Sequence, residues 1–269
     1  MDNEKIDLLK GTAKEAGDIL MRYRTEGFSV GTKTGAFDFV TDADTASDAF
    51  LVEKLASLFP EDKILIEEST SDMSDLSGRV WMVDPLDGTK HYIAGGDGFS
   101  VIIGLAVDGL PQLGVVYAPE RDTYYWAEVG KGAWRQVGNS APERLHVSSI
   151  KKMEKATLIV RYPRGEKRKT DGFLDALVVK NRVQESSVGL QLGKIAEGSA
   201  DAVYNLTTHA NKWDYCAPEI ILKEAGGMLT NFHGDALNYL LPYKDFFAMT
   251  IASNGLLHKE LLERAKQLL

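Results

Sequence analysis

The residues in this chain best suited to chemistry are carboxylates at the ends of apolar runs. Lys63-Ile-Leu-Ile66 leads directly into Glu67-Glu68, and Arg79-Val-Trp-Met-Val83 leads into Asp84-Pro85-Leu86-Asp87-Gly88-Thr89. Carboxylates and backbone carbonyls are the ligands that Mg2+ and other hard cations accept. Pro85 fixes φ and offers no N–H, and Asp87-Gly88 permits a tight turn. Asp84 and Asp87 can then point the same way while Leu86 presents its carbonyl. If the two runs are neighbouring strands, Glu67, Asp84 and Asp87 meet in one crevice at the strands' carboxyl ends. An Asp-Gly pair after a strand is ordinarily a turn, and Glu-Glu a solvated end. The complete string from Asp84 to Thr89, together with Glu67, outweighs those plainer readings.

Other chemistries are missing from the sequence. It has no G-x-x-x-x-G-K-[ST] loop, no G-x-G-x-x-G fingerprint, no G-x-S-x-G elbow and no H-E-x-x-H pair. His91, His146, His209, His233 and His258 are scattered without an i, i+4 pair, so no zinc site is expected. Only His91, close to the acidic string, carries functional weight. One cysteine, Cys216, excludes an internal disulfide and any CxxC pair. With 31 basic and 39 acidic residues the formal charge is −8, a poor basis for sequence-independent nucleic-acid binding. An anionic substrate must therefore be met by something other than the side-chain charge. The charged, acidic N-terminus and the absence of an apolar run of ~18 residues point to a soluble, cytoplasmic protein without a membrane segment.

The elements that must position these groups follow from periodicity. Ile6, Leu9, Ala13, Ala16, Leu20 and Tyr23 form the stripe of an amphipathic helix, and a second helix spans roughly Thr45 to Phe59, stopped by Pro60. From Phe99 to Arg135, β-rich runs separated by Asp108-Gly109, Pro119 and Gly130 read as an antiparallel meander. After about residue 145, strands and helices alternate: a strand at Thr157–Val160, helices near Phe173–Val179 and Leu190–Glu197, and a strand at Ala202–Tyr204. A helix near Cys216–Ala225 stops at Gly226-Gly227, and a final helix runs from Leu256. Two tightly packed halves, residues 1–145 and 146–269, are expected.

The acidic string also carries a resemblance. Asp84-Pro-Leu-Asp-Gly-Thr89 is similar to the signature of the inositol monophosphatase superfamily of metal-dependent, lithium-sensitive phosphomonoesterases. The likeness extends through Asp38-Phe-Val-Thr-Asp-Ala-Asp44, Ile66-Glu-Glu-Ser69, Gly114-Val-Val-Tyr-Ala-Pro119, Ser187-Val-Gly189, Gly198-Ser-Ala-Asp-Ala202, Lys212-Trp-Asp214 and Glu224-Ala-Gly-Gly227. It implies an α+β fold, a layered αβαβα sandwich, and two or three Mg2+ per active site. Glu67, Asp84 and the Leu86 carbonyl would hold one cation; Asp84, Asp87 and Asp214 would hold another. Four ionised carboxylates in one crevice would repel one another, and bound cations remove that conflict. Two such cations clamp a phosphate ester and lower the pKa of a bound water. Thr89 and Asp44 match the pair that orients and deprotonates the water. Glu68 matches an outer carboxylate near a third, weaker cation. Gly88, Thr89, Lys33, Gly189 and Gln191 match positions on the phosphate and substrate side. Homodimers are common in the family.

The resemblance specifies the substrate less sharply. Thr207 stands where inositol monophosphatases carry a glutamate, and Gly189-Leu190-Gln191 replaces a Gly-Thr-Ala patch. Losing a charged acceptor from a buried polyol site weakens inositol phosphate binding. Leu86, Lys90 and the Gly114–Pro119 run are phrased as in the branch that removes the 3′-phosphate from nucleoside 3′(2′),5′-bisphosphates. Inositol 1-phosphate, fructose 1,6-bisphosphate and histidinol phosphate are the alternatives. A reading of another class, a non-catalytic partner of the transcription machinery, would be favoured by degenerate metal ligands, which this chain does not have.

Overall fold

A computed structural model of the chain describes residues 3–32, 39–69, 73–160, 169–206, 210–242, 246 and 249–266. The first helix, α1 (Asn3–Glu26), buries Leu9, Ala13, Ala16 and Leu20 at helical spacing; α2 (Asp42–Leu58) packs on it through Leu51 and Leu55. Between them β1 (Val30–Thr32) pairs antiparallel with β2 (Phe39–Thr41). Lys33 falls in the connection, residues 33–38, outside the described residues.

Seven strands follow: β3 (Lys63–Ile66), β4 (Arg79–Asp87), β5 (Ser100–Val107), β6 (Leu110–Ala118), β7 (Thr123–Glu128), β8 (Ala133–Val137) and β9 (Glu143–Arg144). They form one sheet in chain order, antiparallel except for the β3–β4 pair. The short helix α3 (Thr89–Ile93) links β4 to β5, and a 3-10 turn (Pro119–Arg121) links β6 to β7. The remaining chain supplies β10 (Thr157–Val160), α4 (Lys169–Ala176), β11 (Asn181–Gln184), α5 (Val188–Ala196), β12 (Ala202–Asn205), α6 (Lys212–Glu224), β13 (Met228–Asn231), β14 (Thr250–Ser253) and α7 (His258–Ala265). Its five strands form a second sheet in the order β11-β10-β12-β14-β13.

Strand alternation builds the layers. Along β4, Val80 and Met82 face one core while Trp81 and Val83 face another, as a period of two requires. The Trp81 side is closed by α1 and α2, and the Val80 side by α5 and α6. The second sheet repeats the device: Ile159 and Val203 face α5 and α6, while Leu158, Val160 and Tyr204 face Leu174, Leu177 and Leu261 of the outer elements. The result is the expected αβαβα sandwich, with a helical layer between two sheets.

The apolar pattern placed a helix near Cys216, but α6 begins at Lys212. The difference lies in polar residues: Asn211 caps the helix and Asp214, its third residue, reaches back to the Asn211 N–H. Two glycines bring α6 onto the large sheet. Gly104 and Gly114 stand opposite each other on β5 and β6. A Cβ on Gly114 would lie 2.5 Å from the Ala217 Cα, and one on Gly104 2.7 Å from the Ala217 nitrogen. At its far end α6 is anchored by Glu224, whose carboxylate accepts from the Gly130 and Gly132 amides at 2.9 and 2.8 Å. Among the described residues no helix is long and apolar enough to cross a membrane.

Candidate active site

Strands β3 and β4 are neighbours and parallel, with Ile66 opposite Val83, so Glu67, just past the end of β3, stands level with Asp84, which lies within β4 rather than at its end. The Glu67 N–H still donates to the Val83 carbonyl at 3.2 Å. On a regular strand Asp84 and Asp87, three apart, would face opposite sides of the sheet. Here Asp84 pairs with Ile102 and Asp87 with Ser100, so β4 takes three steps where β5 takes two. That extra residue returns Asp87 to the Asp84 side, the role a bulge has at many sites.

Asp214 arrives from the start of α6. One carboxylate oxygen from each of Asp84, Asp87 and Asp214 lies within 4.8 Å of the other two. All three side chains are buried. Burial and the charges of Glu67, Asp214 and Asp87 hold the Asp84 carboxyl well above the usual carboxylate range. Burial, with Asp87 and Glu67, does the same to Asp214. Hard oxygen donors that disfavour one another's ionisation suit a divalent cation, which would reverse the repulsion.

Beside this cluster, Thr89 opens α3 just past Gly88. Its hydroxyl lies 3.1 Å from the Leu86 carbonyl and 3.4 Å from Asp44 Oδ1. Asp44, fully buried, is the third residue of α2, and its Oδ2 accepts from the Thr41 N–H at 2.8 Å and the Thr41 hydroxyl at 2.5 Å. Asp44 and Asp214 are thus presented in the same way: each closes a capping box at a helix start.

Gly88 has φ of 95°, and a Cβ there would stand 2.6 Å from the Gly98 carbonyl, so glycine alone fits. The Gly189 N–H donates to Asp87 Oδ2 at 2.9 Å. Gln191 is buried in α5 with its amide nitrogen on the Glu185 carbonyl at 2.9 Å. Glu68 is half-buried at the β3 end, and His91 half-buried on α3.

The sequence reading passed over Asp48, one turn beyond Asp44 on α2. This buried carboxylate accepts from the Ser69 side chain and from the backbone of Glu68 and Ser69, tying α2 to the segment that carries Glu67. Burial, with Glu67 nearby, raises its pKa. Its i, i+4 spacing from Asp44 was the available signal. Ser187, which reaches Asp87, lay within the Ser187-Val-Gly189 likeness without a role assigned to it, and Ser100, which reaches Ser187, carried no signal.

The sequence matches the inositol monophosphatase family over residues 2–269. The chain belongs to this family. It is 34% identical to a histidinol-phosphatase of Mycobacterium tuberculosis over 84% of each chain. It is 31% identical to a putative Nus factor SuhB of Neisseria meningitidis, over 83% of this chain and 85% of the other. A solved IMPase of Thermotoga maritima superposes with a TM-score of 0.83 at 29% identity, covering 100% of this chain and 98% of that one. The family is one of metal-dependent phosphatases, and the protein is a phosphoric monoester hydrolase acting on a small phosphorylated substrate.

Proposed function

We propose that the protein hydrolyses a small phosphate monoester using two or three Mg2+ held by Glu67, Asp84, the Leu86 carbonyl, Asp87 and Asp214. The observation that carries this reading is the convergence of three buried carboxylates beside the Thr89–Asp44 pair. Bound cations supply neutralisation of the phosphate oxygens and acidify water. Thr89 Oγ accepts a hydrogen bond from the attacking water and passes its own proton toward Asp44 Oδ1. Asp44 is held for that task by Thr41, which occupies Oδ2. Glu68 would tune the outer edge of the cluster and Gly88 would border the ester, while Lys33, Gly189 and Gln191 are assigned to the substrate side by the family resemblance. The protein acts in the cytoplasm as a homodimer.

The first substrate candidate is a nucleoside 3′(2′),5′-bisphosphate, supported by the Leu86, Lys90 and Gly114–Pro119 phrasing. Histidinol phosphate is the second, supported by the relative of that activity. A panel of both, with inositol 1-phosphate and fructose 1,6-bisphosphate, assayed for phosphate release with Mg2+ and with chelator, tests the reading. Release that survives complete chelation would refute it. The relative named as a putative Nus factor supports a separate reading, a non-catalytic partner of the transcription machinery. Retention of RNA polymerase by the Asp87→Asn protein, with no phosphatase activity toward the panel in the native protein, would favour it.

A further inference from the structure

Asp87 is held by a residue that arrives 100 positions later in the chain. The fully buried Ser187 donates its hydroxyl proton to Asp87 Oδ2 at 2.6 Å. Its oxygen accepts from the Leu190 N–H at 3.1 Å, as the N-cap of α5. The Ser100 hydroxyl lies 2.8 Å away. Ser187 has one proton and gives it to Asp87, so Ser100 must donate to Ser187. The chain of bonds therefore runs in a single direction, from Ser100 through Ser187 to the carboxylate, and with the Gly189 amide it pins Oδ2 in place.

Ser187 is in turn fixed from two residues upstream. The Glu185 side chain, 1% exposed, pairs through Oε2 with Arg121 Nη1 at 2.8 Å and Lys194 Nζ at 2.9 Å. Its Oε1 accepts from the Ser186 N–H at 3.0 Å. Arg121 belongs to the β6–β7 turn of the large sheet and Lys194 to α5, so the pairings bind the middle helical layer to that sheet. A Cβ on Gly98 would lie 2.7 Å from Glu185 Oε1, so this glycine makes the room for Glu185.

We propose that Ser187 is a positioning residue for the metal-binding carboxylate of Asp87, and that Glu185, clamped by Arg121 and Lys194, sets where Ser187 stands. Cation affinity then depends on an ion-pair network outside the carboxylate cluster. This rests on Asp87 being a metal ligand, and outer partners of ligating groups commonly govern 10- to 100-fold in affinity.

The test is calorimetric titration of Mg2+ into the full-length, chelator-stripped protein without substrate, with melting temperatures measured alongside. Ser187→Ala should weaken cation binding about 10-fold, and Ser187→Thr, which keeps the hydroxyl, should recover part of the loss. Arg121→Gln and Lys194→Gln each leave Glu185 one cation, so the fold should survive with affinity lowered in the same direction. A purely structural role would lower the melting temperature and leave the affinity unchanged. Unaltered affinity in folded Ser187→Ala, or in Arg121→Gln should Ser187→Ala not fold, overturns the proposal when Asp87→Asn still binds more weakly. Unaltered affinity in Asp87→Asn as well overturns the ligand assignment beneath it.

Discussion

At the scale of residues, the protein combines two uses of a carboxylate that usually occur apart. Asp44 and Asp214 each close a capping box through one oxygen at the start of a helix, Asp44 near Thr89 and Asp214 in the carboxylate cluster. A helix start is geometrically stiff, so local hydrogen bonding fixes the carboxylate before any ligand arrives. Replacing Asp214 with Asn keeps a capping oxygen but removes charge from a cluster where burial and neighbouring carboxylates already disfavour ionisation. Asp214→Asn should therefore melt at a higher temperature than the native protein in chelator, lose most of the Mg2+-induced rise, and lose phosphatase activity. Calorimetry with and without Mg2+ checks the first two and phosphate release the third. Thr89→Ala should behave differently, because the role proposed for Thr89 is to move a proton rather than to hold a cation. Activity should fall about 100- to 10,000-fold, with Mg2+ affinity by calorimetry within a factor of about three of the native value, the scatter expected for a residue off the ligand set.

At the scale of elements, the placement of α6 decides whether Asp214 meets Asp84 and Asp87. Gly104 and Gly114 form a notch into which Ala217, three residues beyond Asp214, is set. Gly114→Ala would put a methyl 2.5 Å from the Ala217 Cα, and overpacking of this kind costs roughly 1–3 kcal/mol. The variant should show a lower melting temperature and a raised Mg2+ requirement, although neither glycine touches the cluster. Unchanged Mg2+ dependence would uncouple the notch from Asp214. The helix α7 offers a pH test. His258, its first residue, bridges Thr230 and Ser253 at 2.9 Å each, and burial lowers its pKa to about 4. The unfolded chain takes up the proton near pH 6.5. Stability from this group is therefore full above about 6.5, erodes as the pH falls, and is gone once the pH has passed through about 4. The span corresponds to about 3 kcal/mol at most. The melting-temperature advantage of the native protein over His258→Asn should therefore shrink as the pH falls from 7 to 4, measured in chelator, where the carboxylate cluster titrates alike in both proteins and drops out of the difference.

At the scale of the whole molecule, the net charge of −8 and an anionic substrate fit together once the acidic residues are located. Several acids gather in one crevice, and cations bound there would reverse its sign. Folding and cation binding should be linked: at free Mg2+ of 100 times the dissociation constant, stability should rise by about 2.7 kcal/mol per site. A melting temperature that does not depend on Mg2+ would contradict the reading of the cluster as a metal centre.

Much of this arrangement was legible along the chain. The helical stripe of α1, the β meander and the two apolar runs that lead into Glu67 and Asp84 were legible from local pattern, where local sterics and amphipathicity act. The chemistry of the cluster followed from residue type, because oxygen donors in that number suit hard cations. Asp214, Asp44 and Thr89 were found by resemblance, since no local pattern distinguishes a Trp-Asp pair from packing. Tertiary structure alone decided four things. These were the parallel neighbouring of β3 and β4, the bulge that turns Asp87 to the Asp84 side, the glycine notch that seats α6, and the Ser187–Glu185 brace at the start of α5. Each depends on the close approach of segments far apart in the chain, and such contacts are selected by the packing of whole layers rather than by the preferences of any one segment.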